Sequence, residues 1–161
     1  MLLLLLRHGL AEDAGPATGY RDEPRALTPE GMARMRREAR GMKALRLRPE
    51  LILSSPLTRC LQTAEIVQEA LGGDLEDDPR LAPGMSLEDL ADAISDRGAP
   101  GCVVACGHEP SLSRVACELI GGGAIELRKG GLAIVEAEAM RSRGARLKAL
   151  YPPSSLRRLG G

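Results

Sequence analysis

The 161-residue chain predicts an α/β fold, a three-layer α/β/α sandwich with a mostly parallel central sheet. Short apolar runs recur at residues 2–6 (LLLLL), 50–55 (ELILSS), 102–107 (CVVACG) and 132–138 (LAIVEAE), with stretches of helical spacing between them. The first three runs lack polar alternation, as strands covered on both faces do. Strands alternating with helices are joined by right-handed crossovers, which place strands parallel rather than in hairpins.

The opening MLLLLLRHGL supplies the first strand. A secretory leader needs a positive charge ahead of about 7–15 apolar residues and a small-residue cleavage site. Here no charge precedes the run, and Arg7 ends it after six residues including Met1. The run is also far short of the ~20 residues that span a bilayer. It therefore predicts a buried strand in a cytoplasmic protein with no membrane partner.

From residue 28, Thr28 is the expected cap of a helix with Pro29 at its first position. Met32, Met35, Ala39, Met42 and Leu45 form one apolar stripe, and Arg34, Arg36, Arg37, Arg40 and Lys43 read as a solvated face rather than a docking surface. After the strand at 50–55, Ser55 is the expected cap and Pro56 the first residue of a second helix. Its inward face is Leu57, Leu61, Ala64, Val67 and Leu71. Further helices are expected over 86–97 and 110–120, and the tail PPSSLRRLGG reads as a fraying surface end. No linker, repeat or low-complexity segment interrupts 1–161, so one domain is expected.

Composition narrows the function. The 22 basic and 22 acidic residues balance, so no global field favours nucleic acid or an anionic membrane. With no Phe or Trp and only Tyr20 and Tyr151, the chain lacks the aromatic platforms on which bases stack. Cys60, Cys102, Cys106 and Cys117 have neither CxxC spacing nor a histidine cluster beside them. They read as small reduced hydrophobes, not as disulfide or metal ligands.

The only two histidines, His8 in LRHG and His108 in ACGHEPSLS, each follow an apolar strand. Ligands of open α/β sheets bind beyond the carboxyl ends of the strands, so both imidazoles are expected at one rim. Arg7 precedes His8, and Arg59 falls in the first turn of the second expected helix. A cation there opposes the helix dipole, a conflict that a bound anion removes. Guanidinium forks match phosphate oxygens, so the four side chains describe a phosphoryl pocket.

LRHG, LTPEG, SSPLTRCLQTAE and CGHEPSLS, in that order, resemble the successive motifs of the histidine phosphatase superfamily, also called phosphoglycerate-mutase-like. The resemblance implies that fold, with His8 as the nucleophile that becomes phosphorylated. It makes Arg7, Arg59 and His108 the rest of the phosphate pocket and Gly9 the residue that lets the chain turn sharply. It implies no metal and no cofactor.

Larger members carry an acid that protonates the leaving alkoxide, commonly a Glu in a segment resembling RLxE. Here the stretch reads DDPRLAPGMSLEDL, with Pro83 where that Glu would stand. An alkoxide leaves poorly without a proton donor, whereas imidazole, with an ordinary pKa near 6.5, leaves readily at neutral pH. The short chain and its RLAPG segment resemble the SixA-type phosphohistidine phosphatases, and DEPRALTPEG resembles that branch ahead of its first long helix. The second likeness makes Arg25 a further contact to phosphate or substrate backbone. Glu12, Asp13, Asp77, Asp78, Glu88 and Glu109 are candidate replacement acids, none assigned; Glu109 is equally explained as a helix-entry carboxylate.

The expected activity is metal-independent hydrolysis of phosphohistidine on a signalling protein. A phosphatase of small phosphorylated metabolites is the alternative, and a phosphate-binding module without turnover the minor one. A mutase fits poorly, because little of the chain is spare for a covering lid.

Overall fold

A computed structural model describes residues 1–161. Six strands, β1 (Leu2–Arg7), β2 (Leu51–Ser54), β3 (Asp74–Asp77), β4 (Cys102–Gly107), β5 (Leu132–Ala137) and β6 (Ala145–Tyr151), form one sheet in the order β3-β2-β4-β1-β5-β6. The pairs β3·β2, β2·β4 and β4·β1 are parallel, and β5 runs antiparallel to both β1 and β6. The sheet is thus mostly parallel, with one strand reversed.

Five helices cover it: α1 (Pro29–Ala44), α2 (Thr58–Leu71), α3 (Leu87–Ser95), α4 (Ser111–Ile120) and α5 (Pro153–Leu159). Strand side chains alternate between faces and divide the core. Leu4, Leu6, Ile52, Val104 and Cys106 pack with Met35 and Met42 of α1, Ala64 and Val67 of α2 and Leu156 of α5. Leu3, Leu5, Leu53, Val103 and Ala105 pack with Leu90 and Ile94 of α3 and Leu112 and Val115 of α4. The unbroken apolar run at 2–6 follows from this, since the central strand has no solvent face. No helix is long and apolar enough to cross a membrane.

Several expectations are corrected. β3 (DLED) and β6 (ARLKALY) were not expected, because edge strands need no apolar face and are kept polar against further pairing. The second helix starts at Thr58, two residues after Pro56, and Leu57 is its cap position. Ser55 Oγ accepts from Leu57 N at 3.3 Å, holding the turn before the helix rather than capping it. The tail does not fray: α5 lies on α1 with Leu156 fully buried, and Gly160 N–H bonds Leu156 O. Thr28 caps α1 as expected, its hydroxyl accepting from Gly31 N at 2.8 Å. All four cysteines are free, Cys60 and Cys106 buried and the other two half-buried.

Candidate active site

The register of the two central strands assembles the site. Leu6 faces Cys106 and Arg7 faces Gly107 across the parallel β1·β4 pair. One residue further, His8 N donates to Gly107 O at 3.2 Å, and His8 and His108 continue the face that carries Leu6 and Cys106. Their ring centroids lie 5.4 Å apart with planes inclined at 57°. Both are buried, although each lies one residue past the end of its strand.

Arg59, in the first turn of α2, lies between them. Its Nε is 3.3 Å from His8 Nε2 and its Nη2 is 3.3 Å from His108 Nδ1. His8 Nδ1 is 2.7 Å from Gly9 O, so the proton belongs on Nδ1 and the Nε2 lone pair faces the guanidinium. His108 Nε2 is 2.8 Å from Ser55 Oγ and 3.5 Å from Cys60 Sγ. Burial pushes the His8 imidazole down to about 3, with Arg59, His108 and Arg7 adding to the shift and the Gly9 carbonyl partly opposing it. His8 is therefore neutral at physiological pH.

Arg7 points from the end of β1 to Leu127 O, which its Nη1 reaches at 2.8 Å, while its Nε is buried without a partner. The segment before β5 closes over it. Gly130 N bonds the Arg7 and His8 carbonyls, each at 3.1 Å, which brings Lys129 to the pocket wall. Gly130 has φ +80, a conformation that strains other residues, and a Cβ there would meet the Glu38 carboxylate, so glycine suits this crossing.

Gly9 has a different reason from the expected sharp turn. Its φ is not positive, and a Cβ would lie 2.6 Å from Met35 Cγ; the site needs a small residue where β1 passes under α1. Gly9 N also donates to Thr63 Oγ1 at 3.0 Å, tying the strand end to α2.

Arg7, His8, Arg59, His108 and Arg25 line one cavity of about 380 Å³, together with Asp22, Pro83, Glu109 and Lys129. Asp22 and Lys129 were not anticipated; the only signal for Asp22 is an acid three residues before Arg25 in RDEPR. Arg59 Nη2 donates to Asp22 Oδ2 at 2.8 Å, and Arg25 Nη1 donates to Oδ1 at 2.8 Å. Burial raises the Asp22 carboxyl, but Arg25 and Arg59 outweigh it and leave it below its ordinary value. Arg25 Nε also donates to Glu12 O at 2.6 Å, so Arg25 belongs to the pocket mouth.

Among the candidate acids, only Glu109 lines this cavity, and its Oε1 accepts from Ser113 Oγ at 2.7 Å. Asp78 is buried beneath Arg80 and Arg97, at 2.7 and 2.9 Å, and Arg80 foremost holds it well below the carboxylate range. Glu12, Asp13, Asp77 and Glu88 are exposed outside the cavity.

Two imidazoles framed by guanidinium groups, at the carboxyl rim of a mostly parallel sheet, define an α/β protein equipped for phosphoryl groups. The chain belongs to the histidine phosphatase superfamily (branch 1), whose sequence model matches residues 3–83. An uncharacterised protein of Picosynechococcus sp. is 36% identical over 155 residues, covering 92% of this chain and 90% of that protein.

The fold is that of the protein histidine phosphatase SixA complexed with tungstate, at TM-score 0.81 and 24% identity over 97% of this chain and 99% of that one. A chain from Agrobacterium tumefaciens classed as phosphohistidine phosphatase SixA is 28% identical, with TM-score 0.78, over 94% of this chain and 98% of that one. The α-ribazole phosphatase of Shigella flexneri shares the fold more distantly, at TM-score 0.70 and 16% identity over 95% of this chain and 97% of that one.

Proposed function

We propose that the whole chain, as one catalytic domain, hydrolyses phosphohistidine on signalling proteins through a phosphohistidine intermediate at His8. The neutral Nε2 attacks the phosphorus in line. The N–P bond of the substrate breaks as the His8 Nε2–P bond forms, and the departing imidazole leaves neutral, carrying its proton. Arg7, Arg59 and His108 surround the equatorial oxygens, and the guanidinium charges offset the charge developing there. Water then attacks the phosphorus, releasing inorganic phosphate and restoring His8.

The observation that carries the substrate class is the acid-poor cavity wall. Pro83 lines it, Asp22 is committed to Arg59 and Arg25, and Glu109 accepts from Ser113. A leaving imidazole needs no acid of this kind, whereas an alkoxide does. The likeness to the Agrobacterium tumefaciens chain supports the same class. Four free thiols support a reducing, cytoplasmic setting.

A second reading, a phosphatase of small phosphomonoesters, rests on the presence of Glu109 in the cavity wall. One experiment separates the two: kcat/KM for a phosphohistidine protein beside alkyl phosphates, with wild type and Glu109→Gln. The proposal expects the phosphohistidine protein to be preferred and Glu109→Gln to leave that rate within a few-fold. A preference for alkyl esters that falls by about 10²–10⁴ in Glu109→Gln, the usual worth of a general acid, establishes the second reading instead. Tight phosphate binding with no turnover of any substrate marks a binding module.

A further inference from the structure

A second cavity, of about 390 Å³, adjoins the first and shares Arg7 and Lys129 with it. It lies where α1, the start of α5 and the segment before β5 meet, and its charged lining is Arg7, Arg34, Glu38, Arg128, Lys129 and Arg157. Five cations therefore face one carboxylate. Glu38 is committed to Arg157, and Arg34 is paired with Glu30 on the same helix. Arg7, Arg128 and Lys129 have no carboxylate partner, and the Arg7 Nε is buried with no hydrogen bond at all.

This excess of charge is local, because the whole chain carries formal net charge +0. It is also fixed in place. Gly130 anchors the segment to the carbonyls of Arg7 and His8, and Glu38 packs against that glycine while holding Arg157 of α5. Concave, lined mainly by charged side chains beside Leu10, Pro152 and Pro153, and unbalanced in charge, such a site suits an anion. Because Arg7 borders both cavities, a molecule with its phosphoryl group at His8 can extend past Arg7 into the second one.

We propose that this cavity is a second anion subsite, taking a carboxylate or phosphate carried by the same substrate that presents its phosphoryl group to His8. The proposal rests on the phosphoryl-pocket reading of His8. It goes beyond that reading in assigning selectivity to Arg128, which lies outside the catalytic cavity. The anion has two possible sources, an acidic side chain beside a phosphohistidine or a second acidic group on a small phosphate ester.

The test measures wild type and Arg128→Glu with two substrate pairs: phosphohistidine peptides flanked by aspartates or by alanines, and phosphomonoesters with or without a second phosphate or carboxylate. Binding of the same four ligands to His8→Ala, alone and combined with Arg128→Glu, is followed by calorimetry. The expected result is a preference for the doubly anionic member of at least one pair, in kcat/KM and in affinity, reduced about tenfold or more by Arg128→Glu and largely kept by Arg128→Lys. The pair that responds identifies the source. Equal affinity for both members of each pair, no measurable binding, or a preference unchanged by Arg128→Glu overturns the subsite. A preference seen in binding without turnover by wild type keeps the subsite and refutes the phosphatase reading, so the two fail separately.

Discussion

His8 keeps its proton on Nδ1, against the Gly9 carbonyl, and presents Nε2 to the phosphoryl site because burial, with the Arg59 and Arg7 guanidinium groups beside it, disfavours a second proton. Its ring signals should therefore stay unchanged in an NMR titration over about pH 5–8, where an ordinary imidazole titrates. A midpoint near 6.5 would contradict the burial argument. Asp22 is bound to the guanidinium that a phosphate must share, and its charge repels the incoming anion. Asp22→Asn is expected to tighten inhibition by inorganic phosphate by roughly fivefold, in line with one partly screened charge a few ångströms away; unchanged or weaker inhibition would show that Asp22 instead orients Arg59. Arg7, His8, Arg59 and His108 were legible in the sequence because each adjoins a recognisable strand end. Asp22 and Lys129 were not, because loops bring them in from positions that no local pattern marks.

At the level of elements, the central strands and α1 were legible because burial on both faces, a cap and a regular stripe leave strong local signals. β3 and β6 left none, since edge strands answer to pairing with a neighbour more than to a core. α5 was obscured by the proline pair at its start, Pro152 and Pro153, and by its two arginines, although only one buried residue, Leu156, is needed to seat it on α1. Leu156→Ala is expected to cost about 2–4 kcal/mol, as other fully buried leucine truncations do, read as a lower denaturant midpoint. The same variant should loosen the Glu38–Arg157 pair beneath the second cavity. A loss below about 0.5 kcal/mol, the level of surface substitutions, would show that α5 contributes no packing.

For the molecule as a whole, acidity acts in two directions: burial raises the Glu38 carboxyl to about 7, so its share of stability grows as pH falls, whereas that of His8 is lost. The unfolded His8 takes up a proton as pH falls through about 6.5, whereas the folded one resists until about 3, so its share of stability is complete above 6.5 and is lost between those values. Asp22 and Asp78, both held below their ordinary values, add a further loss lower on the acid side. Chemical denaturation of wild type and His8→Asn at stepped pH should show the variant losing less stability than wild type as pH falls below about 6.5, which isolates the His8 share from that of Glu38; an identical slope in the variant would remove His8 from the account. The neutral His8 that makes the fold acid-sensitive is also the nucleophile on which the proposed function depends. The most direct measurement is rapid-quench transfer of labelled phosphate from a phosphohistidine protein to this chain. A base-stable, acid-labile phosphoenzyme is predicted, formed and broken down at rates that sustain turnover and absent in His8→Ala. Hydrolysis by His8→Ala at the wild-type rate, or a label on any other residue, would contradict the account.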